Sequence, residues 1–145
     1  MNNQNSIKIE KFIRYSLATI LLFVAINAFG GGIYGMLGAK SVPVEWLNGS
    51  PFNSYFIPSI VLFVVVGGFC LLTSILMFIQ YHSALKCSIL AAILLIIWIA
   101  AQLLMIGYVS WLQPVIAIVG CLILILSKLL FHSSKNREYI NKLNK

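Results

Sequence analysis

The chain has little charge and keeps what it has out of three long stretches. Of 145 residues 9% are charged, 10 Lys and Arg against 3 Asp and Glu, where a soluble domain carries about a quarter. No Asp, Glu, Lys or Arg occurs in 15–39, 46–85 or 87–127, runs of 25, 40 and 41 residues. With 61% hydrophobic residues and a mean hydropathy of +0.99, the charges present cannot cover a soluble globule of this size. No Asp, Glu, Lys, Arg or His lies deep in these runs, which weighs against proton relays and ion-coupled transport. The two histidines, His82 and His132, are far apart in sequence, and no metal-ligand spacing, nucleophile with a base, or phosphate loop is present. The three cysteines, Cys70, Cys87 and Cys121, form no CxxC pair. That leaves them packing roles and removes the close thiol pair that a quinone-linked thiol enzyme would want near its outer face.

What is there is apolar sequence in helix-length blocks. A membrane-crossing helix needs about 20 residues. Helices are expected at about 13–37, 56–80, 84–107 and 111–131, with a basic tail at 132–145. The third run is too long for one span and divides at GYVSWLQP, 107–114, where Gly107 and Ser110 allow a turn and Pro114 suits the first turn of a new helix. Nothing shows the ten-residue alternation of a membrane barrel. The fold class expected is all-α: a single-domain, four-helix transmembrane bundle with an outer interfacial loop between the first two helices.

Basic residues orient it. Lys8, Lys11, Arg14, Lys86, Lys128, Lys135, Arg137, Lys142 and Lys145 fall on one side of a four-span arrangement, and only Lys40 on the other. The positive-inside rule then puts both termini in the cytoplasm. The formal charge of +7 is this topology signal, so no nucleic-acid partner is expected; the tail is suited to anionic lipid. A signal peptide is the rival reading of the first helix, because Ala28-Phe29-Gly30 resembles a small-x-small cleavage site. The apolar character continues through Ile33, Tyr34, Met36 and Leu37, which gives a full-length span.

Small and polar residues mark one face of each helix. In the first, Ser16, Thr19, Phe23, Asn27, Gly31, Gly35 and Gly38 share a stripe, and Gly31-xxx-Gly35 is a close-packing pattern. The others show Gly67, Cys70 and Ser74; Ser88, Ala91, Leu95, Trp98, Gln102 and Met105; and Gln113, Ala117, Gly120, Leu124 and Ser127. If all four stripes face inward, Asn27, Gln102 and Gln113 gather in the outer half, beneath Glu45, the only acid outside the two tails. Two readings stay open for this group, interhelical hydrogen bonding or a ligand site. The loop VPVEWLNGSPFNSYFIP, 42–58, holds three of the four prolines. It is expected to fold back as an interfacial cap with Trp46 as its plug. Trp46, Phe52, Tyr55, Phe56, Tyr108 and Trp111 would form an outer aromatic belt. Glu45 is either solvated near Lys40 or points down toward Asn27 and Gln102.

The glycine-rich end of the first helix, the segments WLNGSPF and IVLFVVVGG, and SWLQP resemble a family of small bacterial four-span membrane proteins of uncharacterised activity. The layout is also similar to the DoxX-like superfamily, some of whose members are tied to quinone or redox chemistry. That likeness carries no catalytic residue onto this chain. The function expected is that of a non-enzymatic accessory protein or a binder of a lipophilic ligand. A DoxX-like redox role is the alternative and small-solute export the least favoured. No cofactor is expected. The partners expected are membrane lipids and another membrane protein or a second copy. The candidate ligand-binding residues are Asn27, Glu45, Trp46, Gln102 and Gln113, and the helix-packing residues Gly31, Gly35 and Gly67.

Overall fold

The structure, a computed structural model, describes residues 3–143, with side-chain surroundings defined for 4 and 7–135. Every regular element among them is helical. The main helices are α1 (Asn3–Met36), α2 (Phe56–Phe78), α3 (Ala84–Ile106) and α4 (Leu112–Leu143). All four contain a stretch long and apolar enough to cross a membrane. A single 3₁₀ turn, Val44–Leu47, interrupts the α1–α2 loop.

Two boundaries differ from those expected. α1 begins at Asn3 rather than near 13, and α4 runs to Leu143 rather than stopping near 131. Residues 3–29 and 121–143 contain neither Gly nor Pro, so nothing in either flank stops a helix. Loss of hydrophobicity ends a span without ending the helix. At its other end α1 stops where Gly38 (φ 93°) and Ala39 (φ 42°) turn left-handed, and the Ala39 N–H bonds back to the Tyr34 carbonyl at 3.1 Å. Pro58 sits in the first turn of α2, where its missing N–H is harmless. Residues Leu62–Gly67 of that helix are wound more loosely, as a π-helical segment.

The chain runs up and down. Ser74 meets Ala18 while Ser59 meets Gly35, so α1 and α2 are antiparallel. Ser88 meets Ser127 while Ile96 meets Gly120, which makes α3 and α4 antiparallel. Neighbours around the bundle are α1–α2, α2–α3, α3–α4 and α4–α1, and among the described residues neither diagonal pair brings its Cα atoms within 8 Å. The interior is filled by Leu17, Leu21, Val66, Cys70, Met77, Leu95, Ile123 and Leu130, each at most 2% exposed. Its polar groups are paired: Ser74 Oγ donates to the Ala18 carbonyl at 2.7 Å, and the Ser88 and Ser127 hydroxyls share a bond of 2.8 Å. Such bonds between helices contribute about 0.6–2 kcal/mol each in an apolar medium.

Two of the four expected stripes face inward, Gly67, Cys70 and Ser74 on α2 and Gln113, Gly120 and Ser127 on α4; that on α3 does so at Ser88, Ala91 and Leu95, is half-buried at Trp98 and Gln102, and ends exposed at Met105. The stripe expected on α1 does not face inward. Thr19, Phe23, Asn27 and Gly31 are exposed, while Leu17, Leu21, Ala25, Ala28, Gly32 and Gly35 are buried. The close-packing pair is therefore Gly32 and Gly35 rather than Gly31 and Gly35. A Cβ at Gly32 would stand 2.7 Å from Phe63 Cβ and 3.0 Å from the Ser59 carbonyl, and one at Gly35 would fall on Ser59 Oγ. One at Gly31 would meet only the tip of Leu62, at 3.3 Å. Gly67 packs as expected, with Ala28 and the Phe29 ring against it.

With 34 residues, α1 is about 51 Å long, and α3, with 23, about 35 Å. Both ends of the chain thus project past the short 79–83 loop. There Ser133 Oγ of α4 donates to Glu10 Oε1 of α1 at 2.8 Å, and Glu10 is only 9% exposed. Lys8, Lys11, Arg14, Lys86, Lys128 and Lys135 lie toward this terminal end of the bundle, and Lys40 lies at the loop end. Lys145 lies outside the described residues, as do the side chains of Arg137 and Lys142.

Candidate functional site

The loop end is built by hydrogen bonds that the sequence pattern alone does not specify. Tyr34, in the last turn of α1, accepts the Ser41 N–H on its hydroxyl at 3.2 Å. Tyr55, just before α2, donates its hydroxyl to the Pro43 carbonyl at 2.8 Å and ties the two ends of the loop together. Burial, and secondarily the charge of nearby Glu45, pushes the Tyr55 phenol above its ordinary 10.0. The 3₁₀ turn between these ties leans on α3. The residue it buries is Leu47, 6% exposed, whereas Trp46 is 39% exposed. The expected plug is therefore off by one position. Successive side chains of a 3₁₀ turn point about a third of a turn apart, so only one of the pair can face the bundle. Trp46, Phe56, Tyr108 and Trp111 instead stand exposed around this end, as a belt of rings would.

The five candidate ligand residues do not converge. Asn27 faces away from the bundle, and its Nδ2 donates to the Phe23 carbonyl one turn back, at 2.8 Å. Gln102 is half-buried on α3, diagonally across from α1, and makes no hydrogen bond among the described residues. Gln113 is 5% exposed and staples the α3–α4 turn: its Oε1 accepts the N–H groups of Val109 (3.0 Å) and Ser110 (3.3 Å), and its Nε2 donates to the Gly107 carbonyl at 3.2 Å. Gly107 has φ 70°, and the amide fills the groups that this turn leaves open. Glu45 is exposed beside Tyr55. A grouping of Asn27, Gln102 and Gln113 beneath Glu45 is thus not what the fold makes. The polar stripe of α1 lies nearly half a turn away from the alanine and glycine face that lets α2 approach.

The recesses on the surface of the described residues include two of note. One, of about 370 Å³, lies within the outer loop and is lined by Val44, Leu47, Asn48, Gly49, Ser50, Phe52 and Asn53. The other, of about 520 Å³, is a groove along α4 lined by Ile125, Lys128, Leu129, His132 and Ser133. Neither is lined by two helices of the bundle. The three cysteines are free thiols, Cys70 buried, Cys87 half-buried and Cys121 exposed.

Glu10 and Ser133 were not among the expected residues, though a signal for Glu10 exists. It lies seven residues before Leu17, two turns along the same face, which places it on the buried side of α1 once the helix is known to extend that far. No family model matches the chain, and neither a curated protein nor a solved structure matches it.

Proposed function

We propose that this chain is a multi-pass membrane protein of a bacterial cytoplasmic membrane, with both termini in the cytoplasm, and that it acts as a non-enzymatic accessory subunit. It docks to a helix of another membrane protein through the outward face of α1. The orientation follows from the charge segregation, with the basic terminal end inside. The observation that carries the docking is Asn27. It lies about 14 Å from the loop end of α1, near the middle of a hydrocarbon core about 30 Å thick. Its bond to the Phe23 carbonyl uses one N–H and leaves the other N–H and the amide oxygen to the surroundings. An amide exposed at that depth is costly unless another helix completes its bonds. Gly30 and Gly31 lie one turn beyond on the same exposed side, and a Cβ on Gly30 would meet open space, so a second backbone can come close.

A lipophilic ligand beneath the outer loop has less support, because the recess there lies inside the loop and the polar Asn48, Ser50 and Asn53 are among the residues that line it. The test is Asn27→Leu. Its amide bonds only within its own helix, so the isolated chain should keep its thermal stability in mild detergent to within about 1 kcal/mol. Native electrophoresis and cross-linking in membranes should show a larger assembly for the wild type that the variant loses. A wild-type chain that runs alone under both treatments defeats the proposal. So does a variant that unfolds more readily while its assemblies persist. A larger assembly holding only this chain would make the partner a second copy.

A further inference from the structure

The groove on α4 combines apolar and cationic groups at one depth. Its floor is Ile125 and Leu129, 57% and 60% exposed, and its rim is Lys128, His132 and Ser133. Counting along the helix from Leu112 at the loop end, Ile125 lies about 20 Å down, Lys128 about 24 Å and His132 about 30 Å. A hydrocarbon core about 30 Å thick therefore leaves Ile125 and Leu129 against acyl chain and brings His132 to the level of the phosphates, which the long Lys128 side chain reaches from about one turn below. We propose that this groove seats one anionic phospholipid, its upper acyl chain along Ile125 and Leu129 and its phosphate held by Lys128 and His132.

The chemistry of the rim selects the ligand. The Lys128 ammonium supplies the charge, and an imidazole offers an N–H donor whether or not it is protonated. A zwitterionic headgroup brings its own cation to the same place and gains less. Glu10, the acid that meets the Ser133 edge, is turned into the α1–α4 seam, with its Oε1 bonded to the Ser133 hydroxyl. The site rests on the membrane reading above but does not depend on Asn27 or on a partner.

The experiment uses the whole chain reconstituted into vesicles of equimolar phosphatidylglycerol and phosphatidylcholine, extracted gently and weighed by native mass spectrometry with lipid still bound. The wild type should retain phosphatidylglycerol over phosphatidylcholine. Lys128→Gln should lower that retention about fivefold, the effect of one cation at the surface, and His132→Gln should lower it further in the double variant. Lys86→Gln removes an equal charge at the same end, outside the groove, and should leave retention unchanged. Equal losses in the Lys86 and Lys128 variants would mean diffuse attraction and overturn the site, as would equal retention of the two lipids. Excess soluble glycerol phosphate should fail to displace the lipid; if it strips it, the apolar floor contributes nothing and the groove is refuted. Failure of the wild type to enter the vesicles defeats the membrane reading along with this one. Normal entry with no lipid preference defeats this one alone.

Discussion

The contact between α1 and α2 makes the sharpest demand on single residues, and a run of three consecutive glycines lets it be tested one position at a time. Replacing Gly32 by Ala puts a methyl 2.7 Å from Phe63 Cβ, 3.0 Å from the Ser59 carbonyl oxygen and 3.2 Å from Phe63 Cα. Carbon atoms rest about 3.5–4.0 Å apart, so α1 and α2 must separate by about 1 Å at this level. These atoms are backbone or the first atom of a side chain, so no rotation relieves the clash. Overpacking of this kind costs about 1–3 kcal/mol. Alanine recovers up to about 1 kcal/mol in helix preference over glycine. The net expectation for Gly32→Ala is a loss of about 1–2 kcal/mol. Gly30→Ala meets nothing and Gly31→Ala only the movable tip of Leu62, so both should be neutral or slightly stabilising. Gly35→Ala lands on Ser59 Oγ and should also destabilise; Ser59→Gly in the same chain should restore most of the loss, as coupled neighbours do. Unfolding by dodecyl sulfate in mixed micelles, followed by helical circular dichroism, ranks the variants. If Gly32→Ala proves as stable as Gly30→Ala, the register of α1 on α2 described above is wrong. If Gly31→Ala is the worst of the set, the sequence-based pairing of Gly31 with Gly35 is right after all.

Gln113→Ala leaves the Gly107 carbonyl and the Val109 and Ser110 N–H groups without their partner. The same unfolding assay should show a loss of about 1–3 kcal/mol, and Gln113→Glu, which keeps the acceptor and loses the donor to Gly107, should fall between; a neutral Gln113→Ala would show that the turn is held by other means. Tyr55 gives a pH dependence. Its folded pKa is raised above 10.0, first by burial and then by Glu45, so the stability from its neutral form is full below pH 10.0 and is lost as pH rises through the shifted value. Thermal melting between about pH 8 and 12 should fall at the alkaline end, Glu45→Gln should make that fall smaller, and Tyr55→Phe should remove it; an alkaline fall unchanged in Tyr55→Phe would assign it to another group.

The four helices were legible because each apolar run exceeds the length of a span, and their order around the bundle follows from short connections. The inward faces of α2, α3 and α4 were legible for a related reason. On these helices the small residues and the polar residues share one side, as Cys70 with Ser74 and Gly120 with Ser127 do. On α1 the two signals separate. Ala18, Ala25, Ala28 and Gly32 mark one face, Thr19, Phe23 and Asn27 another, and a reading that merges them follows the wrong one. The helical flanks at both termini escaped a reading based on hydropathy, which measures the span and not the helix. Leu47 was missed in favour of Trp46 because a 3₁₀ turn could not be told from an irregular loop, and the two place neighbouring side chains differently. For Gln113 the position was legible and the role was not: whether an amide bonds across a bundle or closes its own turn depends on backbone directions at Gly107 and Val109 that composition does not reveal.

Depth separates the two amides within the apolar helices, Asn27 and Gln102, whose hydrogen bonding the described residues leave incomplete. Gln102 is half-buried and makes no hydrogen bond among the described residues, yet it stands only about 6 Å from the end of α3. In the membrane arrangement proposed above, a side chain of its length reaches the headgroup level from there, where water would complete its bonds. Asn27 has no such escape, since its shorter side chain starts about 14 Å from the loop end of α1. Thr19, on the same outward face, satisfies its hydroxyl on the Tyr15 carbonyl at 3.0 Å and has no further hydrogen to place. The Asn27 amide has one N–H to spare and an oxygen without a donor. In a lipid-filled surrounding, that remainder is the feature that the isolated bundle leaves unresolved. A single helix therefore faces two ways: Ala28, Gly32 and Gly35 pack toward α2 on the inside, and Asn27 with Gly30 and Gly31 forms the outward face on which the proposed docking rests.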